Sequence, residues 1–369
     1  MKNNKITASI SAILITLLLT SGCTSSSNDT DSAKNDITKA DTVTADNANT
    51  DNETEEIKVD NSDIISLAVK SDNNVCAFTE NGTEIELLDV AEYNGGVQYT
   101  YFDGKLYLYL YKYTEGEDKN YNTLGYINIA EGDYKFTKLA EVDAEGYPTS
   151  IAVANNTLYF TSSDFDGIYE YNIGTDEFSV FDDFDFRRQK GIKLYTISDK
   201  KLAYSTAGTS EESPTVGIVD AEASSIKEIY SNGSVEYIFN GKIICTVYGD
   251  NYSTWTYTEY NVNDDTAVQI SDTTNSNTSI STSYIAPVDD YYVYVNTNSL
   301  YKYSNGKSEK LYEFETSVNN INLISKNVLS VAYGDDVQNE EKYGHLSLDK
   351  SEFSEIQNEV FYTQALYIK

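Results

Sequence analysis

Acidic side chains between predicted strands are the residues of this sequence that could most readily do chemistry together. Carboxylates that several loops bring together can coordinate Ca²⁺, which takes about six to eight oxygen ligands. None of them has an EF-hand spacing, and the alternative is that they are solvated loop residues. The sequence therefore predicts no cofactor apart from an optional calcium ion, whose candidate ligands are Asp164, Asp166, Asp250, Asp335 and Asp336.

The arginines form a second candidate site. Arg187 and Arg188 are the only arginines in the sequence, and they lie side by side in an Asp- and Phe-rich connection. Arg binds carboxylate or phosphate groups through paired N–H bonds, which Lys cannot reproduce. The pair therefore predicts an anion-binding site. The alternative is local pairing with Asp182, Asp183 and Asp185.

Residue types that usually catalyse reactions are scarce. His345 is the only histidine and lies in a predicted strand, which indicates a structural role. Cys76 and Cys245 fall in distant repeats, so we expect buried, reduced thiols and no disulfide or zinc site. With no catalytic residue identified, the sequence favours a binding module. The alternative is a Ca²⁺-assisted lyase or hydrolase that uses loop carboxylates, although no spacing selects a pair.

A strand–turn–strand pattern that recurs seven times supplies the elements that must position these residues. The copies are separated by roughly 40 to 50 residues, a period typical of β-propellers. We therefore predict an all-β propeller of seven blades with four antiparallel strands each; six blades are the alternative. The turns lie at Asn81-Gly82, Glu131-Gly132, Gly174-Thr175, Glu222-Ala223, Asn263-Asp264, Asn305-Gly306 and Asp349-Lys350.

Each complete copy divides into four strands, A to D. In the third copy the predicted strands are Ser150–Val153, Leu158–Thr161, Ile168–Asn172 and Phe178–Phe181. A second series of turns connects strand A to strand B. It has six members, at Asp103-Gly104, Asn155-Asn156, Asp199-Lys200, Asn240-Gly241, Asp289-Asp290 and Lys326-Asn327.

The missing seventh A–B turn predicts how the ring closes. The first copy begins at strand B, over Ile64–Lys70, and so has no strand A of its own. A spare strand follows the seventh copy over Phe361–Ile368. If this strand supplies strand A of the first blade, two open sheet edges disappear.

One strand sequence has a counterpart in a known family. The segment Leu158-Tyr159-Phe160-Thr161 resembles the Tyr-Trp-Thr-Asp repeat of low-density-lipoprotein-receptor propellers and their bacterial relatives. The resemblance implies a propeller and transfers no functional residue, because the Trp and Asp of that repeat are missing here. Bacterial relatives of this kind are often surface proteins of unassigned role.

Residues 1–23 have the pattern of a targeting signal. Lys2 and Lys5 precede an apolar stretch, Ile10–Leu19, that is shorter than the roughly 20 residues needed to span a bilayer. The following Thr20-Ser21-Gly22-Cys23 resembles a bacterial lipoprotein signal. This resemblance implies lipidation of Cys23 and anchoring to the extracytoplasmic face of the cell membrane. The alternative is an ordinary cleaved secretory signal.

Composition divides the remainder of the sequence into two parts. Residues 24–62 are acidic and rich in Ser, Thr, Asn and Asp, which predicts a disordered tether. Residues 63–369 then form the predicted propeller. The formal net charge of −33 disfavours nucleic acid as a partner, because phosphate binding needs clustered Lys and Arg. The predicted partners are the membrane, through the lipid, and an extracellular protein, peptide or glycan.

Overall fold

The computed structural model describes the part of the chain that carries the repeats. The described residues are 64–80, 83–88, 93, 96–112, 121–142, 146–163, 167–181, 191–208, 213–249, 254–270, 274–275, 285–335, 340–356 and 362–368. They belong to a unit that runs from Ile57 to Lys369. Their regular structure consists of strands, and no helix long and apolar enough to cross a membrane occurs within these ranges.

The strands are short, and their order along the chain follows the repeats. The first fifteen are Ile64–Lys70 (β1), Val75–Thr79 (β2), Glu84–Leu88 (β3), Gly96–Phe102 (β4), Lys105–Lys112 (β5), Tyr121–Asn128 (β6), Asp133–Val142 (β7), Pro148–Ala154 (β8), Thr157–Ser162 (β9), Tyr169–Asn172 (β10), Glu177–Val180 (β11), Lys193–Thr196 (β12), Lys201–Ser205 (β13), Val216–Asp220 (β14) and Ser225–Tyr230 (β15). The others are Gly233–Phe239 (β16), Lys242–Tyr248 (β17), Thr254–Asn261 (β18), Thr266–Gln269 (β19), Thr274–Asn275 (β20), Ile285–Val288 (β21), Tyr291–Asn296 (β22), Ser299–Ser304 (β23), Lys307–Glu313 (β24), Val318–Ser325 (β25), Val328–Asp335 (β26), Glu340–Ser347 (β27), Glu352–Ile356 (β28) and Tyr362–Tyr367 (β29).

These strands form seven antiparallel sheets, which are the blades of a β-propeller. Blade 1 has the strand order β29-β1-β2-β3, and blades 2, 3 and 4 are β4 to β7, β8 to β11 and β12 to β15. Blade 5 is β16 to β19, with the short β20 beside β18, and blades 6 and 7 are β21 to β24 and β25 to β28. The prediction of seven four-stranded blades is confirmed, and the six-bladed alternative is wrong.

The ring closes as the missing turn predicted. Strand β29 pairs antiparallel with β1, and this pairing places Leu366 opposite Leu67 and Ala365 opposite Ala68. Beyond the strand, the Ile368 N–H donates a hydrogen bond to the Ile65 carbonyl at 2.8 Å. The inner edge of β1 is therefore covered by residues almost 300 positions away in the sequence.

Tight turns between strands A and B explain the Asn, Asp and Gly residues there. Asn155 and Asn156 both have positive φ, at 47° and 57°, and Asn240 and Gly241 have φ of 50° and 71°. Two-residue hairpins of this kind require positive φ at both central positions, which Asn, Asp and Gly adopt at the lowest cost. The turn residues are consequently fixed by backbone geometry.

Tyrosine, of which the sequence contains 33, packs between neighbouring blades. Tyr109 of blade 2 is fully buried and meets Phe160 of blade 3 edge to face, with ring centroids 5.1 Å apart.

The two described cysteines, Cys76 and Cys245, are free and buried, and burial raises the pKa of Cys76 to about 12. These thiols therefore behave as small apolar side chains, as predicted.

Candidate ligand-binding channel

A cavity of about 910 Å³ runs between the inner strands of the blades. Its walls come from the first strand of several sheets, namely β4, β8, β12, β16 and β25, and from residues of β29 and just beyond it. The outer strands β11 and β19, by contrast, are exposed along their whole length. The cavity is therefore the central channel of the propeller, and the inner strands determine its chemistry.

The two ends of this channel differ in polarity. Six of the seven inner strands run from a D–A connection to an A–B turn, and β29, which is antiparallel to β1, runs in the same sense, so the order of residues along each strand gives depth in the channel. Polar lining residues near the strand starts are Gln98, Thr149, Lys193 and Ser234, and Glu236 lies in the middle of β16. Lining residues near the opposite ends of the strands are mainly apolar, with Asn240 as a polar exception: Tyr101, Ile197, Ile238, Phe239 and Ile368. A ligand would meet hydrogen-bonding groups at one end and apolar surface at the other.

Glu236 reaches the channel because its strand contains a β-bulge. In the pairing of β16 with β17, Val235 lies opposite Cys245 and Tyr237 lies opposite Ile244, so Glu236 is an extra residue without a partner. A bulge of this kind redirects one side chain and is common beside functional sites. The carboxylate accepts hydrogen bonds from Ser234 Oγ and Thr246 Oγ1, both at 2.8 Å and both to Oε1.

The environment of Glu236 disfavours its charged form. Burial raises the pKa of this carboxyl above its usual range, and the hydroxyls of Thr246 and Ser234 and then Lys193 oppose that rise. Lys193 is exposed at the start of β12, and no ion pair involving Glu236 forms within the described chain. The second oxygen, Oε2, receives no hydrogen bond from a described residue, and the Glu236 side chain lines the cavity.

Two tyrosine hydroxyls contact the residues that precede Glu236 in β16. Tyr195 Oη donates to the Val235 carbonyl at 3.3 Å, and Tyr248 Oη lies 3.2 Å from Ser234 Oγ. Burial raises the pKa of Tyr195, and the nearby Glu236 raises it further. The phenol therefore stays neutral at physiological pH and can act as a hydrogen-bond donor but not as a base.

Side-chain hydroxyls bind the inner edges of neighbouring blades to each other. Thr196 Oγ1 accepts the Val153 N–H at 2.8 Å and lies 3.0 Å from Thr100 Oγ1, so it bridges blades 2, 3 and 4. Ser150 Oγ accepts the Leu194 N–H at 3.0 Å. These contacts satisfy backbone donors that would otherwise be left unpaired at an inner sheet edge, and they fix one wall of the channel.

Most of the site residues predicted from the sequence lie outside the described residues. These are Cys23, Asp164, Asp166, Arg187, Arg188, Asp250 and Asp336. Asp335 ends β26, where it lies opposite Glu340, but its side chain is outside the described part. No group of three or more His, Cys, Asp or Glu side chains that could hold a metal occurs among the described residues. The calcium and anion sites therefore stay predictions.

His345 lies in β27, where its neighbours are strand residues. It lies opposite Ser330 on one side and Ser354 on the other, and burial lowers its pKa. It therefore belongs to the packed blade, as its position in a strand predicted. Sequence analysis missed Glu236, although a signal was present: it is the only acidic residue in the seven inner strands.

Comparisons with known proteins agree with this architecture and go no further. The sequence matches no family profile, and no curated protein matches it. A prolyl endopeptidase structure has a TM-score of 0.51 and 11% identity, over 80% of this chain and 46% of that one. The present chain thus spans about half the length of that enzyme.

Two further structures match over nearly their full length. A 6-phosphogluconolactonase candidate from Bacteroides fragilis has a TM-score of 0.51 and 14% identity, over 83% of this chain and 98% of that one. A chain of the nidogen/laminin complex has a TM-score of 0.38 and 11% identity, over 82% and 97%. Kinship to the low-density-lipoprotein-receptor type stays a prediction. At these identities the two matches with a TM-score of 0.51 show the fold alone: the chain is similar to β-propellers.

Proposed function

We propose that this protein is a ligand-binding module held on the extracytoplasmic face of the cell membrane by a lipid on Cys23. The lipobox-like Thr20-Ser21-Gly22-Cys23 and the acidic residues 24–62 support the anchoring part of the proposal. One acyl chain holds a protein only marginally, and two hold it stably. The tether would then separate the propeller from the membrane.

The channel carries the binding part of the proposal. Its volume falls in the range of small-ligand sites, about 300–1,000 Å³, and such sites combine apolar and aromatic walls with a few polar groups. Hydroxyls of Thr149, Ser234 and Tyr248 can both donate and accept hydrogen bonds at its polar end. This combination suits a hydroxyl-rich ligand such as a short glycan. An extended peptide is the alternative occupant.

Binding of a glycan by the channel can be tested with the full chain on an oligosaccharide array and a peptide library. Thr149→Trp would place a large ring at the polar end of the channel, and Thr266→Trp on the exposed β19 is the matched control. We expect Thr149→Trp to abolish glycan binding and Thr266→Trp to retain it. Equal binding by both variants would place the site elsewhere. Peptide binding without glycan binding would select the alternative ligand.

Anchoring has its own test. Changing Cys23→Ser should move the full chain from the membrane fraction to the soluble fraction and abolish incorporation of a labelled fatty acid, because the thiol is the attachment point. Cys76→Ser, which alters a buried core thiol, is the control and should stay in the membrane fraction. Membrane retention of Cys23→Ser would contradict lipidation at this residue.

An enzymatic role is the second candidate, and the raised pKa of Glu236 favours it, since such a carboxyl can serve as a proton donor. The form predicted from the sequence is a Ca²⁺-assisted lyase or hydrolase. If Ca²⁺ raises the melting temperature and a chelator reverses the rise, the result would support the candidate ligands Asp164, Asp166, Asp250, Asp335 and Asp336.

The candidate anion site has a separate test. Loss of anionic-ligand binding in Arg187→Ala and Arg188→Ala would support an anion site at these two residues.

A further inference from the structure

We propose that the channel binds a ligand that carries a primary ammonium group, and that Glu236 is the counter-ion of this group. The inference rests on the proposed binding function and specifies the chemical class of its ligand. It starts from the position of one carboxylate, which lines the cavity, accepts two hydroxyl donors on Oε1 and keeps Oε2 free among the described residues.

A partly buried carboxylate that has no cation beside it is costly. Removing a charge from water is offset only when an opposite charge and good hydrogen bonds replace the lost solvation. Ser234 and Thr246 supply two neutral donors, and Lys193 lowers the pKa of Glu236 without forming an ion pair with it among the described residues. An ammonium group on Oε2 would supply the missing charge. The protein would then retain an unfavourable side chain because the bound state requires it.

Other groups that line the cavity near Glu236 can contact the remaining N–H donors and the carbon part of a ligand with an ammonium group. An ammonium has three N–H donors, of which Oε2 would take one and nearby hydroxyl oxygens, such as that of Tyr248, could take another. Tyr195 and Tyr237 also line the cavity, and aromatic faces attract cations. The apolar end beyond them, which includes Ile238 and Phe239, can receive the carbon part of the ligand.

The charge of the whole protein favours the same class of ligand. With a formal net charge of −33, its field raises the local concentration of cations and disfavours anions. This long-range effect acts on any cation, whereas Glu236 acts only on a group inside the channel. A test must therefore separate the two, which a second Glu-to-Gln change on the surface can do.

The experiment is calorimetric titration of the full chain with matched probes. Glucosamine is compared with N-acetylglucosamine, and Nα-acetyl-lysine methylamide with Nα-acetyl-norleucine methylamide; within each pair the charged amine is the main difference. We expect at least one cationic probe to bind about ten-fold more tightly than its neutral partner. A preference for the sugar pair would identify an amino sugar as the source of the ammonium, and a preference for the lysine pair would identify a lysine side chain.

Two variants locate the effect. Glu236→Gln should lower the affinity for the cationic probe to that of its neutral partner. Glu228→Gln, on the exposed strand β15, changes net charge equally and should preserve the difference. Retained discrimination in Glu236→Gln, or its loss in Glu228→Gln as well, would overturn the proposal. Circular dichroism checks that both variants fold. If Glu236→Gln fails to fold, Glu236→Asp takes its place; it withdraws the carboxylate and should weaken binding of the cationic probe.

The wild-type titrations are decisive without any variant. Equal affinity within both pairs, or no binding of either cationic probe, would overturn the inference. If glycans or peptides bind equally well with and without an amino group, the proposed binding function stands and only the requirement for an ammonium group is removed. Failure of all array ligands would instead remove the binding function itself.

Discussion

Glu236 shows at the level of one residue how a candidate binding site can oppose stability. The bulge at this position places a carboxylate in the channel, and burial raises its pKa. Replacing it with a neutral side chain of the same shape should cost the fold nothing, because Ser234 and Thr246 donate hydrogen bonds that an amide oxygen can also accept. A residue retained against its own desolvation penalty is typical of functional sites.

Glu236→Gln should therefore stabilise the protein in a pH-dependent way. A carboxyl whose folded-state pKa lies above its unfolded value contributes fully to stability below the unfolded pKa, and this contribution is lost as pH rises through the folded pKa. At neutral pH we expect the variant to melt a few °C higher than the wild type. The difference should close as pH falls below 4.5, the usual value for Glu. Thermal melts across this range, with Glu228→Gln as control, measure it; a pH-independent difference would contradict the assignment.

Thr196 supports a second prediction at this scale. Thr196→Val removes the acceptor of the Val153 N–H and leaves this backbone donor unpaired, whereas Thr100→Val removes only a hydroxyl–hydroxyl contact. We expect urea denaturation to show a loss of about 1–3 kcal/mol for Thr196→Val and a smaller loss for Thr100→Val. Equal losses would mean that the backbone donor finds another partner.

At the level of the strands, several blades share one packing feature: a glycine of the third strand lies beneath an aromatic ring. A Cβ on Gly125 would lie 2.3 Å from Phe136 Cζ, and one on Gly344 would lie 2.2 Å from Phe353 Cζ. In both blades the ring comes from the outer strand, two residues before the residue opposite the glycine. The glycine is needed because the ring occupies the place of its side chain.

Gly344→Ala should consequently destabilise the protein by about 1–3 kcal/mol, the usual range for overpacking. Ser347→Ala, in the same strand, adds no volume and is the matched control, which we expect to stay within about 0.5 kcal/mol of the wild type. Urea denaturation monitored by circular dichroism gives both values. A neutral Gly344→Ala would show that Phe353 moves aside at no cost.

Strand order and turns could be predicted from the sequence, whereas the channel could not. Turn positions such as Asn155-Asn156 and Asn240-Gly241 are local, because the required φ values select a few residue types. The bulge at Glu236 depends on the register between β16 and β17, which alternation alone leaves undetermined. The loop acids and the arginine pair stand out in the sequence as charge clusters, whereas Glu236 is a single acid in an otherwise uncharged inner strand that lines the channel.

Closure of the ring by β29 supports a prediction about the stability of the whole molecule. A chain that ends after residue 361 lacks β29, so the inner edge of β1 and the apolar contacts of Leu366 and Ile368 are lost. We expect it to lose cooperative thermal unfolding or to melt more than about 10 °C lower. A chain that lacks only Lys369 is the control and should melt like the wild type. A cooperative melt of the shorter chain near the wild-type temperature would contradict the role given to β29.

The pairing of β29 with β1 also sets an order of assembly. Blades 2 to 7 consist of residues that are contiguous in the chain, so each can form without waiting for a distant segment. Blade 1 must wait with an uncovered edge until residues 362–367 are available to pair. During that interval β1 is a template for pairing with any other unfolded chain. The first strand of the propeller along the chain is thus the last to be covered.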